Sequence, residues 1–252
     1  KGSHLIFPRL FEGDHCYIFQ NRDSRIIFAI PYERDFTLIG TTDVSFEGDP
    51  SQIAISDEEA RYICDAANEY LAREVRPGDA VASYAGVRPL YDDRSAKNST
   101  VTRDYQFELD RGADGAGPPL LSIFGGKITT YRKLAEHALG ELGVGGRQWT
   151  ARKALPGGDI DPMDFDGFVS RQAQLYPFLA RSTVRRLGIS LGTRMNMVLG
   201  EAEGTNDLGQ HLGGDLYAAE LEYLVTHEFA QSAQDVLRRR SKLYLHLDDG
   251  AK

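Results

Sequence analysis

A chain of 252 residues with 41% hydrophobic and 26% charged residues can bury a sizeable core, as one large or two small domains. Its formal net charge of -8 argues against nucleic acid as a bulk partner, because phosphate backbones are met by basic faces. Cys16 and Cys64 lack CxxC spacing, and the longest apolar runs, such as Ile26–Ile30, fall far short of the roughly 20 residues that span a bilayer. No metal site, no disulfide framework and no signal sequence is expected. The reading is a soluble or at most peripheral protein of a reducing, cytoplasmic compartment.

In chain order, the first segments read as a meander of strands: Leu5–Pro8, Cys16–Phe19, Arg25–Ile30 and Thr37–Gly40, separated by Gly, Asp, Asn or Ser. These predict an antiparallel sheet. Ser56 and Glu59 then form a capping box ahead of Ala60, Ile63, Cys64, Ala67, Leu71 and Val75 at helical spacing, so a helix should run on towards Pro77-Gly78. Strand character returns at Ala82–Arg88 and at Val101–Leu109, before a glycine-rich turn over Gly112–Gly117.

The stretch Leu120–Leu142 is a strand, a glycine turn and a helix. Leu120, Leu121, Ile123 and Phe124 form the strand, Gly125-Gly126 stop it, and Tyr131, Leu134, Ala135, Ala138, Leu139 and Leu142 recur on one helix face, with Thr129 or Thr130 placed as cap. Glycines there admit a ligand to the backbone N–H groups and the positive end of the helix, and Lys127 adds a full charge. An anionic or electron-rich group would suit the turn; a tight βα turn with a solvated lysine is the bland alternative.

After Leu142 the texture changes. Gly143–Gly146 and Leu155–Asp159 read as linker, and beyond Asp161 the periodic segments are helical. Pro177 should break one helix, Ser182 cap the next, and Asp215 cap a longer one carrying Leu216, Ala219, Tyr223, Leu224 and His227; a last helix carries Val236, Leu237 and Leu243. The basic run Arg238-Arg239-Arg240 with Lys242 is read as structural, complementing a helix end and pairing with Glu220 or Glu228. The fold class is α+β: an antiparallel-sheet region over residues 1–154, with a βα unit at 120–142, then an all-α domain over 155–252.

A glycine-turn βα unit after an antiparallel sheet suits the last piece of a dinucleotide-binding fold, yet nowhere does a GxGxxG follow a strand, which leaves open that a long N-terminal portion is absent from the sequence as given. The chain opens on Lys1-Gly2-Ser3-His4, and Gly-Ser-His has a second reading as a cloning scar.

Several strings in one order carry a resemblance over essentially the whole chain: KGSHLIFPR at Lys1–Arg9, IGTTD at Ile39–Asp43, GVRPL at Gly86–Leu90, TRDY at Thr102–Tyr105, FGGKITTYRKLAEHAL at Phe124–Leu139, LPGG at Leu155–Gly158, and the tail strings YLVTHE and DVLRRRSK. The sequence resembles the carboxy-terminal portion of the aerobic, FAD-dependent glycerol-3-phosphate dehydrogenases, with the βα unit belonging to their FAD-binding fold. That resemblance makes His4 native and implies hydride transfer from C2 of sn-glycerol 3-phosphate to FAD, giving dihydroxyacetone phosphate. Electrons would pass on to quinone, with the parent protein peripheral to the inner membrane and a second copy an allowed partner. This chain alone is expected to be inactive and to retain no FAD.

The same resemblance implies roles for single residues. Arg88 and Lys127 would contact substrate near the flavin, Arg103 would be a second-rank phosphate cation, and Gly125, Gly126, Lys127, Ile128 and Thr129 would approach the cofactor. Phosphate is a dianion that wants bidentate donors. Alcohol oxidation also needs a base for the hydroxyl proton, for which His4 is the candidate, a hydroxyl- or phosphate-ligand role being equally open. Arg88 has an alternative as an ion pair with Asp92 or Asp93, and Arg103 one beside Asp104. Thr41-Thr42-Asp43 reads as turn chemistry, with Asp43 accepting backbone N–H bonds. Two other readings stand beside this one: a flavin oxidoreductase of the amino-acid-oxidase type, where one arginine would meet a carboxylate, and a non-catalytic anion-binding or assembly module.

Overall fold

The computed structural model describes residues 1–89, 104–112, 115 and 117–247, and divides into two compact units, Lys1–Ala151 and Arg152–Lys252. In the first, β1 (Gly2–Pro8), β2 (Tyr17–Gln20), β3 (Ile26–Tyr32), β4 (Phe36–Gly40) and β5 (Ala82–Gly86) form an antiparallel sheet in the order β2-β3-β4-β1-β5. Strand β1 is central between β4 and β5 near the sheet edge, and its alternation sets two faces. Leu5 and Phe7 point to the core with Ile27, Ala29 and Ile39, while Gly2, His4 and Ile6 point the other way.

Helix α1 (Asp57–Asn68) covers the core face with Ala60, Ile63, Cys64 and Ala67. Ile63 and Phe7 are fully buried, each contributing about 1.5–3 kcal/mol. The capping box forms as expected, the Ser56 hydroxyl accepting from the Glu59 N–H and the Glu59 carboxylate from the Ser56 N–H. The helix does not reach Val75. The N–H groups of Tyr70 and Leu71 both turn back to the Ala67 carbonyl, and the Asn68 side chain brackets Val75, donating to its carbonyl at 2.9 Å and accepting from its N–H at 2.8 Å. An amide that imitates a backbone partner ends the helix while Val75 stays buried. Cys64 is buried, and burial pushes its thiol up to about 11; Cys16 is exposed, and both are free.

Strand β5 stops at Gly86 rather than Arg88. Beyond it, β6 (Gln106–Asp110) and β7 (Leu120–Phe124) make a separate antiparallel ribbon, followed by a 3-10 turn at Ile128–Thr130 and α2 (Tyr131–Glu141). Residues 101–103 of the expected strand lie outside the described residues, and its pairing begins at Gln106. Neither threonine caps α2 through its side chain: the Thr130 hydroxyl donates to the Lys127 carbonyl at 3.0 Å.

The second unit is helical, with α3 (Phe165–Leu175), α4 (Arg181–Leu191), α5 (Met195–Leu199) and α6 (Ala218–His227), plus a short ribbon of β8 (His211–Gly213) and β9 (Leu216–Tyr217). Its own core gathers Val169, Val184, Leu187, Met195, Leu199, Tyr223 and Leu224. Ser182 lies inside α4, whose N-cap is Ala180, and Asp215 caps nothing. Asp215 is drawn off by Arg186, which it meets at 2.9 Å while Glu220 meets the same guanidinium at 2.7 Å. A charge-assisted pair with a largely buried guanidinium holds the Asp215 carboxylate away from the helix start. The last segment is a π-helical turn, Asp235–Arg240, broken at Lys242 by its left-handed backbone and continued as a 3-10 turn at Leu243–Leu245. The three arginines of the basic run are tied locally. Arg239 pairs with Asp235, Arg240 donates to the Glu228 carbonyl, and Arg238 lies over the Tyr244 ring.

Candidate functional site

His4 sits in the middle of three strands, opposite Gly40 on β4 and Tyr84 on β5. Its ring stacks on Tyr84 with centroids 4.8 Å apart and planes 16° from parallel. The other side is open only because residue 40 is glycine: a Cβ there would lie 2.5 Å from His4 Cδ2. The imidazole is half-buried, and its Nδ1 is buried without a hydrogen-bond partner among the described residues. Burial first, and the Arg88 guanidinium second, hold its pKa below the usual 6.5, so the ring is neutral at pH 7.

Arg88 follows β5 and returns to the start of β1. A Cβ on Gly2 would come within 3.2 Å of Arg88 Nη1 and 2.6 Å of Thr41 Oγ1. Gly2 and His4 are two residues apart on one strand and share a face, so the glycine lets the guanidinium approach the face that carries the imidazole. The structure thus brings together two of the residues selected from sequence. Asp92 and Asp93, the alternative partners of Arg88, and Arg103, the second phosphate cation, lie outside the described residues.

On the opposite face of β1 is a carboxylate that the sequence marks only as a helix cap. Glu59 Oε1 accepts from the Ser3 hydroxyl at 2.9 Å and the Thr42 hydroxyl at 2.8 Å; Oε2 accepts from the Ser56 N–H at 3.0 Å and meets Lys1 Nζ at 2.6 Å. Thr42 Oγ1 also accepts from the Ser3 N–H at 3.0 Å. Burial alone would raise the Glu59 carboxyl, but Lys1, Ser56, Thr42 and Ser3 outweigh it and bring it to about 2. The Thr41-Thr42-Asp43 segment, expected as turn chemistry, is therefore anchored through the buried Thr42. Sequence reasoning gave no role to Lys1, Ser3 or Tyr84; Lys1 and Ser3 stand only within the quoted Lys1–Arg9 string, and Tyr84 has only strand alternation as a local signal.

The glycine turn lies on the other sheet of this unit. Gly125 and Gly126 have φ of 73° and 95°, backbone that a side chain would strain, and Gly126 closes on Leu134 and Tyr105. Lys127, Ile128 and Thr129 are exposed, Ile128 at 89%. The first N–H groups of the helical run have no intrahelical acceptor, and among the described residues no side chain caps them. Open donors, a positive helix end and an exposed lysine suit an anionic or electron-rich group. Among the described residues, no His, Cys, Asp and Glu group could hold a metal, and no helix is long and apolar enough to cross a membrane.

Residues 1–132 match the family described as FAD dependent oxidoreductase, and residues 148–252 match the C-terminal domain of alpha-glycerophosphate oxidase. The chain is 48% identical to a glycerol-3-phosphate dehydrogenase of Pseudomonas aeruginosa, covering 98% of this chain and 48% of that protein. It is 43% identical to a D-erythritol 1-phosphate dehydrogenase of Brucella abortus, covering 100% and 50%, and 42% identical to the aerobic glycerol-3-phosphate dehydrogenase of Escherichia coli, covering 100% and 51%. A solved structure, the glycerol-3-phosphate dehydrogenase of Bacillus halodurans complexed with FAD, superposes with a TM-score of 0.73 at 29% identity, over 96% of this chain and 47% of that one. The chain spans about half the length of the curated relatives it matches.

Proposed function

The chain belongs to the FAD dependent oxidoreductase family, and from that premise we propose that it is the substrate-side and carboxy-terminal portion of a flavoenzyme that oxidises sn-glycerol 3-phosphate to dihydroxyacetone phosphate. The observation that carries the reading is an imidazole and an arginine brought to one face of β1 by two glycines. Gly125, Gly126, Lys127, Ile128 and Thr129 would hold FAD, which when bound supplies the hydride acceptor. His4, kept neutral by burial and by Arg88, takes the hydroxyl proton on the imidazole. Arg88 and Lys127 bind and orient the phosphate, with Arg103 as a third cation, because a dianion wants more donors than one guanidinium provides. Electrons leave to a quinone, the enzyme lying at the cytoplasmic side of the inner membrane, with a second copy of the chain as partner.

A second reading within the same chemistry has a specific support. A relative of 43% identity is named for D-erythritol 1-phosphate, a polyol phosphate one carbon longer. Comparing kcat/KM for the two substrates decides between them. An amino-acid-oxidase reading would replace phosphate by carboxylate, which Arg88 alone could meet.

The first test is titration of this polypeptide with FAD, followed by flavin absorbance and fluorescence and then anaerobic glycerol 3-phosphate. The expected result is no bound, bleachable flavin for residues 1–252 alone, and bleaching once the nucleotide-binding half is supplied. Failure of the completed protein to bleach with either polyol phosphate overturns the proposal. Its kcat/KM should also fall on the acid side with an apparent pKa below 6.5, since protonated His4 accepts no proton.

A further inference from the structure

We propose that Glu59 is a positioning residue for the reaction, acting through Ser3 and Thr42 to hold the strand face that presents His4 and Arg88. The inference rests on the function proposed above. A capping box needs one carboxylate oxygen on the N-cap N–H and leaves the other to water. Here Oε2 serves the cap and Lys1, while Oε1 faces inward onto Ser3 and Thr42. Ser3 lies between Gly2, beside which Arg88 rests, and His4. Because alternate residues of a strand point to opposite faces, fixing the Ser3 side chain on the core side fixes the tilt of Gly2 and His4 on the other. Thr42 does the same for the end of β4: it receives the Ser3 N–H, and its neighbours Gly40 and Thr41 lie against the His4 ring and Gly2.

Glu59 is 6% exposed, so leaving its carboxylate without its donors would be costly; with them it locks three chain segments at one point. A displacement of the reacting groups on the order of 1 Å costs up to about a hundredfold in rate, which is the leverage such a lock has.

The test uses Glu59→Gln, which keeps the shape but loses the charge for Lys1, and Thr42→Val, which keeps the charge and removes the bridging hydroxyl. Ser56→Ala, which removes only the hydroxyl of the cap, is the control for helix stability. In residues 1–252, the His4 imidazole is titrated by NMR. Both Glu59→Gln and Thr42→Val should move its pKa upward towards 6.5 as the ring loosens from Arg88 and its buried setting, and Ser56→Ala should lower Tm without moving it. In the protein completed with its nucleotide-binding half and loaded with FAD, Glu59→Gln should lower kcat about tenfold with the flavin spectrum unchanged, and should cost little more in a His4→Asn background, because its effect runs through that residue. If Glu59→Gln and Thr42→Val lower Tm while His4 titration and kcat stay as in the parent protein, Glu59 is a cap and the inference is overturned. If the parent protein turns over no polyol phosphate, the reaction is wrong, and the His4 titration still decides whether Glu59 holds the strand.

Discussion

Arg88 and His4 owe their proximity to glycines at positions 2 and 40, and each consequence can be tested singly. Arg88→Ala in the completed, FAD-loaded parent protein should lower kcat/KM for glycerol 3-phosphate by about 2 kcal/mol or more, the scale of a lost hydrogen bond to a charged group; unchanged steady-state kinetics would remove Arg88 from the site. Gly40→Ala should displace the His4 ring, because the added Cβ would occupy the space of Cδ2. Its signature is a loss of kcat together with a changed His4 chemical shift. Acid exposes the other charged residue. Glu59 titrates at about 2 in the fold against 4.5 as a free carboxyl, so its contribution is complete above pH 4.5 and lost as pH falls towards 2. The shift corresponds to about 3 kcal/mol. His4 adds a loss in the same direction, beginning at 6.5 and ending at its lower folded value. Urea midpoints measured against pH should therefore decline in acid, and Glu59→Gln should flatten the part below 4.5.

At the scale of elements, local chemistry explains starts better than stops. Helix α1 begins where Ser56 and Glu59 place it, yet ends seven residues before Val75 because Asn68 supplies both halves of a backbone-like bond. The residues linking α4 and α5 are held by a second close approach. Gly157 and Gly192 touch backbone to backbone: a Cβ on Gly157 would strike the Leu191 carbonyl, one on Gly192 the Gly157 carbonyl, and both residues have positive φ. The Thr193 N–H donates to the Gly157 carbonyl at 3.0 Å, and the Thr193 hydroxyl bonds Asp159. Gly157→Ala should destabilise the second unit by more than about 1 kcal/mol, since it adds a clash to an unfavourable backbone conformation. Thermal denaturation of the protein reads this as a lowered transition for that unit, and an unchanged Tm would show that the contact yields.

At the scale of the molecule, one apolar surface stands out by its continuity around the glycine turn. No residue of α2 is buried, and Leu120, Ile123, Phe124, Ile128, Tyr131 and Leu139 are all exposed around the glycine turn. A face of this kind is what a cofactor-binding half would cover, and without cover it should drive association. Residues 1–252 should show concentration-dependent self-association by sedimentation velocity, relieved by Ile128→Lys with Leu139→Lys. A monodisperse monomer at all concentrations would count against the proposed missing half. The second unit carries its own core, so its unfolding should register as a separate calorimetric transition.

Contiguous residues determined the strands of the first sheet, the capping box of α1, the strand–glycine–helix unit and, through ordered motifs, the family. Each of these rests on interactions within a few residues, which periodicity and turn chemistry report directly. Arg88, His4 and the glycine turn could be named as site candidates from the same strings. Only the tertiary structure decided that His4 lies between Tyr84 and Gly40, that Arg88 returns to Gly2, and that the inward oxygen of Glu59 joins Ser3 to Thr42. These contacts join residues from 36 to 86 positions apart, with the Thr42 bond spanning 17. Strand alternation gives each residue its face locally, but which strands lie side by side, and so which of these residues meet, is set by pairing across the sheet.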